Sequence, residues 1–351
     1  MRYYDIIIRN KDTGDIIRPA SLAKLNLEST YTSYINGKSI AGALNIVLDV
    51  PLAPFAIPTS NAYVSIQGVS LAEISQSNDL SGHEITIFAG MRAGLPLAKP
   101  EQSQLPLVQG SIFQAFGNWE GTNQSLDLML QAFTGTLREP KNLTLNWKKN
   151  TTLGDAIRKS LSVAFGSAYS YNISISNQLK KSSDEIGFYA TLAQFARDVK
   201  DLSLNTQFKG ITPVGGGAYQ GVEITLNNKT FNVTDGTVVQ PARAIAFEDL
   251  IGQPTWIGPN TLNFKTAIRT DISVGDRITM PAINTPFVLT APGAAFSGVP
   301  ARSQSTFKGE FQITEAHAFG NFRMANATAW VMSFNASSVP YQNSSIGSAS
   351  P

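Results

Sequence analysis

The sequence predicts a mainly β chain with an α/β insert, on three observations. Apolar and polar residues alternate with a period of two over most of its length, a middle stretch switches to helical spacing, and one short peptide recurs far downstream. Leu44, Ile46, Leu48 and Val50 alternate with Asn45, Val47 and Asp49, and Ile85 and Ile87 with Glu84 and Thr86, which puts the apolar side chains on one sheet face. Leu126, Leu128, Leu130 and Ala132 follow the same pattern. So do Val222, Ile224 and Leu226, then Leu262, Phe264 and Thr266, and finally Thr328, Trp330, Met332 and Phe334. Gly and Pro punctuate these runs, as in antiparallel sheets or small barrels.

The texture changes between them. Leu143, Leu145 and Trp147 predict a strand. Thr152 followed by Asp155 then marks a capped helix start, with Leu153, Ala156, Ile157, Leu161 and Phe165 on one helical face. Ile173 and Ile175 predict a short strand. Ser182 with Glu185 predicts the start of a second helix, whose Phe188, Leu192, Phe195, Val199 and Leu202 share a face.

The strongest organising signal is internal. "AFGNW" at 115–119 matches "AFGNF" at 318–322, and Asn123, Ser125 and Met129 match Asn326, Thr328 and Met332 at the same offset of 203 positions. Gly117 and Gly320 are read as bends before a last strand, where a residue without Cβ is cheap. Two copies of one β-barrel domain are therefore expected at 1–136 and 206–340, flanking a small α/β domain at 137–205. The polar tail 341–351 reads as a flexible end or a segment ordered by a partner.

The totals narrow the function. With 351 residues the chain has room for two or three domains, and a net charge of +2 gives no field that would hold nucleic acid. Only 15% of residues are charged, which suits large permanent contacts. The absence of cysteine excludes disulfides, thiol nucleophiles and thiolate metal sites. The apolar run Ile6, Ile7 and Ile8 is far short of a signal-peptide core, and no stretch is long enough for a membrane-spanning helix.

Candidate chemistry is sparse. His83 follows Ser81 and Gly82 in a turn, and His317 takes the place that Gln114 holds in the first copy, so neither builds a triad or a zinc site. "PVGGGAYQG" at 213–221 lacks the Lys-Ser/Thr of a phosphate loop and reads as a bent loop. Glu73 with Asp79, Glu248 with Asp249 and Asp271 with Asp276 are the carboxylate pairs a glycosidase would need. In "RTDISVGDRITMP", 269–281, Gly275 and Asp276 make a turn between two strands, so that stretch reads as scaffolding. No catalytic, cofactor-binding or metal-binding residue is assigned, and no cofactor is expected.

The stretch "EDLIGQPTWIGPNTLNFKTAIRTDISVGDRITMP", 248–281, with "GEFQITEAHAFGNFR", 309–323, resembles the second barrel of baseplate hub proteins of contractile-tailed bacteriophages. "TLGDAIRKSLSVAF" and "EIGFYATLAQFARDV" are similar to their middle α/β portion. These motifs record strand and turn order and are silent on catalysis. The resemblance implies tail-tube-like barrels and a homotrimer whose two barrels per chain make a pseudo-sixfold ring. Such a ring adapts a sixfold tail tube to a threefold central spike. It also implies a non-enzymatic virion protein of the baseplate, present in the host cytoplasm during assembly. Its expected partners are the tail tube protein, a separately encoded spike, other baseplate proteins and the tape measure protein, with DNA only passing through the channel. The rival readings are a tail-associated peptidoglycan glycosidase and a carbohydrate-binding adhesin displaying Trp119, Trp147, Trp256 or Trp330.

Overall fold

The computed structural model describes residues 1–19, 27–57, 61–92, 99–131, 140–206, 219–227, 229–238, 241–258, 260–281, 287–288, 302–303, 307 and 309–339. The period-two runs become strands: β1 (Arg2–Arg9), β2 (Tyr31–Thr32), β3 (Asn45–Leu52), β4 (Ala62–Gln67), β5 (Glu84–Met91), β6 (Val108–Glu120) and β7 (Asn123–Gln131). In the middle lie β8 (Leu143–Trp147), β9 (Ser170–Ser174), β10 (Glu185–Tyr189), β11 (Glu223–Asn227) and β12 (Thr230–Thr234). The last part supplies β13 (Arg243–Ala244), β14 (Thr255–Trp256), β15 (Thr261–Ala267), β16 (Arg277–Met280), β17 (Gly309–Asn321) and β18 (Trp330–Val339). Helix α1 (Leu71–Ser75) follows β4, while α2 (Leu153–Phe165) and α3 (Leu192–Thr206) belong to the middle part. The fold is mainly β with an α/β portion, as the alternation and the helical stretch predict.

The repeat is a repeat of topology. In the first part the hydrogen-bonded order is β3-β4-β7-β6-β5-β1, and in the last part it is β14-β15-β18-β17-β16-β13. Matched in chain order, the six strands correspond one to one. Both long hairpins also carry a β-bulge, between Ile112 and Gln114 in one and between Ile313 and Glu315 in the other. The copies differ at one margin, since β1 runs antiparallel to β5 whereas the short β13 runs parallel to β16.

The constant offset needs a correction. Ala115 and Gly117 match Ala318 and Gly320 at 203 positions, but their partners across the hairpin are Leu128 and Leu126 in one copy and Met332 and Trp330 in the other. The second strands therefore correspond at 204, so Met332 matches the buried Leu128 and not the half-buried Met129. A one-residue slip turns every side chain to the other face, and the core accepts only one choice. The longer connection in the second hairpin, where Asn321 N–H donates to Ala329 O, absorbs the extra residue.

The two modules are not separate bodies. They merge into one 13-stranded sheet because β3 pairs antiparallel with the second half of β17, from Leu52 opposite Ala316 to Val47 opposite Asn321. One apolar cluster runs from Ile6, Ile46 and Leu128 through to Phe264, Met332 and Phe334. Two polar ties reinforce the joint: Trp330 Nε1 donates to Gly90 O at 2.9 Å, and Arg2 donates to Asn321 O at 3.0 Å.

The α/β portion has its own cluster, containing Trp147, Ile157, Leu161, Phe195 and Val199. Ile224, Phe231 and Val233 of β11 and β12 belong to that cluster, and β12 pairs in parallel with β9. Residues as far along the chain as Val233 thus pack in the α/β core. Helix α2 begins where expected: Thr152 Oγ1 accepts from Asp155 N–H at 3.2 Å. The second helix does not begin at Ser182. Residues 185–189 form β10, paired with β8, and Ile186 and Phe188 point to solvent on its outer face. The helix starts after Thr191, whose Oγ1 accepts from Gln194 N–H while Gln194 Oε1 accepts from Thr191 N–H. The tail 341–351 and the glycines of 213–218 lie outside the described residues.

Candidate functional site

Each strand of the merged sheet buries one set of side chains in the core and turns the alternate set to the opposite face. On that second face the odd-numbered residues of β3, β7, β15 and β18, and of β17 beyond its bulge, meet the even-numbered residues of β6 beyond its bulge, and they are largely polar. A row of polar side chains crosses seven neighbouring strands there, most of them joined by hydrogen bonds. Asn263 on β15 donates to Ser333 Oγ and Asn335 Oδ1 of β18 at 3.0 and 2.8 Å. Asn335 donates to Glu315 of β17 at 3.0 Å. His317, two residues on, meets Asp49 of β3 and so bridges the module joint. Asp49 stands opposite Tyr63 of β4, whose hydroxyl donates to Asp127 of β7 at 3.0 Å. Asn118 of β6 completes the row by donating to the other Asp127 oxygen.

Asp127 is the buried anchor of this row, with Tyr63, Asn118 and Ser125 all donating to it. Tyr63 is correspondingly harder to ionise, raised by burial and by the Asp127 charge. A depression of about 350 Å³ opens beside the joint, lined by Pro51, Asn263, Glu315, His317, Phe319 and Asn335. The row holds three carboxylates, on Asp49, Asp127 and Glu315, with Lys265 the one lysine beside them. With more carboxylates than cations along it, this face is weakly acidic.

Most carboxylates of the pairs considered for hydrolysis are engaged elsewhere. Glu73 completes the capping box of α1 with Ser70 and accepts from Tyr31 Oη at 2.8 Å. Asp249 is buried between Lys99 and Arg269, while the neighbouring Glu248 carboxylate is exposed. Burial pushes Asp249 up, but the Lys99 hydrogen bond and the Arg269 charge outweigh it and hold the carboxyl below its usual range. Asp271 takes both Nε and Nη2 of Arg269, at 2.7 and 2.6 Å, in a bidentate pair. Asp276 accepts from Ser273 N–H at 3.0 Å inside the turn, where Gly275 has φ +94°, and burial raises its pKa. Glu73, Asp249, Asp271 and Asp276 are thus tied into scaffold, whereas Asp79 and Glu248 are exposed.

His83 Nδ1 accepts from Lys11 N–H at 3.2 Å in an exposed turn. Of the tryptophans, Trp147 and Trp330 are core residues, whereas Trp119 is 65% exposed and Trp256 39%. Among the described residues no cluster of three or more His, Asp or Glu could hold a metal ion. Sequence reading treated His317 as a polar strand position and did not find the row. The period-two pattern identified its face, but the pattern says nothing about which strands are neighbours.

No family model matches this chain, and no curated protein matches it. Among solved structures it is similar to a 43 kDa tail protein of prophage MuSo2 from Shewanella oneidensis, at 6% identity over 96% of each chain with a TM-score of 0.48. It is also similar to a tail protein from Neisseria meningitidis MC58, at 11% identity, covering 95% of this chain and 96% of that one, with a TM-score of 0.47. A third similar structure is a type VI secretion system component from E. coli, at 10% identity, covering 86% of this chain and 73% of that one, with a TM-score of 0.46.

Proposed function

We propose that this chain is a structural subunit of a contractile phage tail, a baseplate hub. Three copies would form a pseudo-sixfold ring between a sixfold tube and a threefold spike. The observation that carries the reading is the repeated six-strand module joined edge to edge within one sheet. A chain holding two like but inequivalent modules presents six similar units when three copies associate, while its true symmetry stays threefold. The sequence resemblance to baseplate hub proteins supports the same reading.

In this role the protein acts through surfaces. The polar row from Asn263 to Asn118 would line the channel, and its carboxylates keep passing DNA from adhering. The apolar face is the core and stays closed. The exposed Ile186 and Phe188 stand on a strand outside the merged sheet and are available for contact with neighbouring baseplate proteins. The protein performs no chemistry in this account.

Native mass spectrometry combined with image averaging of the purified protein tests the proposal. The expected result is a trimer with a central opening and six-lobed density. A stable monomer alone and with its spike, or a subunit standing off the tail axis in the particle, overturns it.

A further inference from the structure

A cleft of about 630 Å³ opens where the three parts of the chain meet. The segment from Pro51 to Phe55 and the start of β6 form one wall, α3 and the β11–β12 turn another, and residues 269–274 the third. These walls are tied together. Phe55 N–H donates to Ile224 O at 3.0 Å, joining the first module to the α/β portion, and Thr270 N–H donates to Gln102 O at 2.7 Å, joining the two modules. A cleft held in this way is formed before any ligand arrives, and its volume lies within the roughly 300–1,000 Å³ of ligand sites.

Its chemistry is divided by depth. Leu107, Val108, Ile272 and Val274 are buried and make an apolar floor. Arg197 of α3 and Lys229 of the β11–β12 turn are exposed and stand at the rim. Neighbouring cations are neutralised within the chain: Lys200 pairs with Glu223 at 3.1 Å, and Arg269, deeper in the cleft, pairs with Asp249 and Asp271. Among the described residues Arg197 and Lys229 have no ion-pair partner, and Glu84 is the single carboxylate on the lining. Of the chain's 25 acidic residues only Glu139 lies outside the described residues, and it directly follows Arg138. The described residues thus give this rim no counter-charge, and the rest of the chain has one acidic side chain to offer.

We infer that the cleft binds an acidic peptide segment of a partner protein, with apolar side chains on its floor and carboxylates on Arg197 and Lys229. An extended segment turns alternate side chains to opposite faces, which matches an apolar floor beneath a cationic rim. A small phosphate-bearing molecule would satisfy the cations and leave the floor uncovered. The site lies within one chain, so it goes beyond the ring proposed above and is tested on a single copy.

A fluorescent hexapeptide of alternating glutamate and leucine is titrated against the purified full chain, with fluorescence anisotropy as the readout. Saturable binding is expected, weakening as salt rises, while a hexapeptide of alternating lysine and leucine does not bind. Arg197→Glu combined with Lys229→Glu should weaken binding at least about tenfold, since like charges then face each other. The same reversal at Lys149 and Lys159, exposed residues of the α/β portion outside the cleft lining, should leave binding unchanged. Ala193→Trp puts a bulky ring on an exposed position of the cleft wall without altering charge, and should also weaken binding at least about tenfold. Circular dichroism checks that the variants are folded. Absence of binding, an equal loss on reversal at Lys149 and Lys159, full binding by Ala193→Trp, or displacement of the peptide by pyrophosphate at constant ionic strength overturns the proposal. Each of these outcomes leaves the ring reading standing, because the oligomeric state is measured separately.

Discussion

Gly117 and Gly320 hold the same place in the two modules, and each is glycine because something else occupies the space of a Cβ. A Cβ at Gly320 would lie 2.7 Å from the Trp330 ring, and one at Gly117 would lie 2.4 Å from Ile74 Cγ2 and 2.9 Å from its Cα. Neither has positive φ, so the sequence expectation of a bend gives way to close approach within a strand. Gly320→Ala and Gly117→Ala are each expected to destabilise by about 1 to 3 kcal/mol in urea unfolding, through overpacking. Asp249 gives a second residue-scale test. Asp249→Asn leaves the buried Arg269 with one carboxylate partner and should cost about 3 kcal/mol at pH 7. Because the folded pKa of Asp249 is depressed, its contribution is present above the unfolded value of 3.8 and is lost as pH falls through the folded value. The variant should therefore lose less stability than the wild type on acidification below about pH 4, measured by the same unfolding titration. Asp276 has the opposite sign. Burial raises its pKa, so its contribution is complete at low pH and declines as pH rises through the folded value.

The elements of the α/β portion illustrate how local signals compete. Ser182 and Glu185 have the spacing of a capping box, yet the following Ile186, Gly187 and Phe188 pair with β8. The real box is Thr191 with Gln194, and a reading that scored both would still have lacked the β8 partner that makes 185–189 a strand. At α2 the local signal and the tertiary environment agree. Thr152→Ala is expected to cost about 1 kcal/mol of stability, as loss of a single N-cap does. At the module joint the exposed His317–Asp49 contact is a minor part of an element-scale ladder. His317→Ala should change stability by no more than about 1 kcal/mol and leave the joint intact, whereas a backbone block there would not be tolerated.

For the whole molecule, the shared core and shared sheet mean that the two modules should unfold together. Hydrogen exchange is expected to protect the amides of 316–321 as strongly as those of β3 and to release both with the global transition. Early exchange at the joint, with each module protected separately, would show two independent bodies instead. Much of this architecture was legible in the residues. Alternation marked which side chains of β3, β7, β15 and β18 enter the core, and the AFGN repeat announced a duplicated module. What the residues left open was adjacency. The polar row depends on Asp49 lying beside His317, 268 positions apart in the chain, and on β3 choosing β17 as its neighbour. Alternation is a property of each strand alone and fixes its faces. Pairing between distant strands depends on which edges remain free once every module has closed its core, and no local pattern records that.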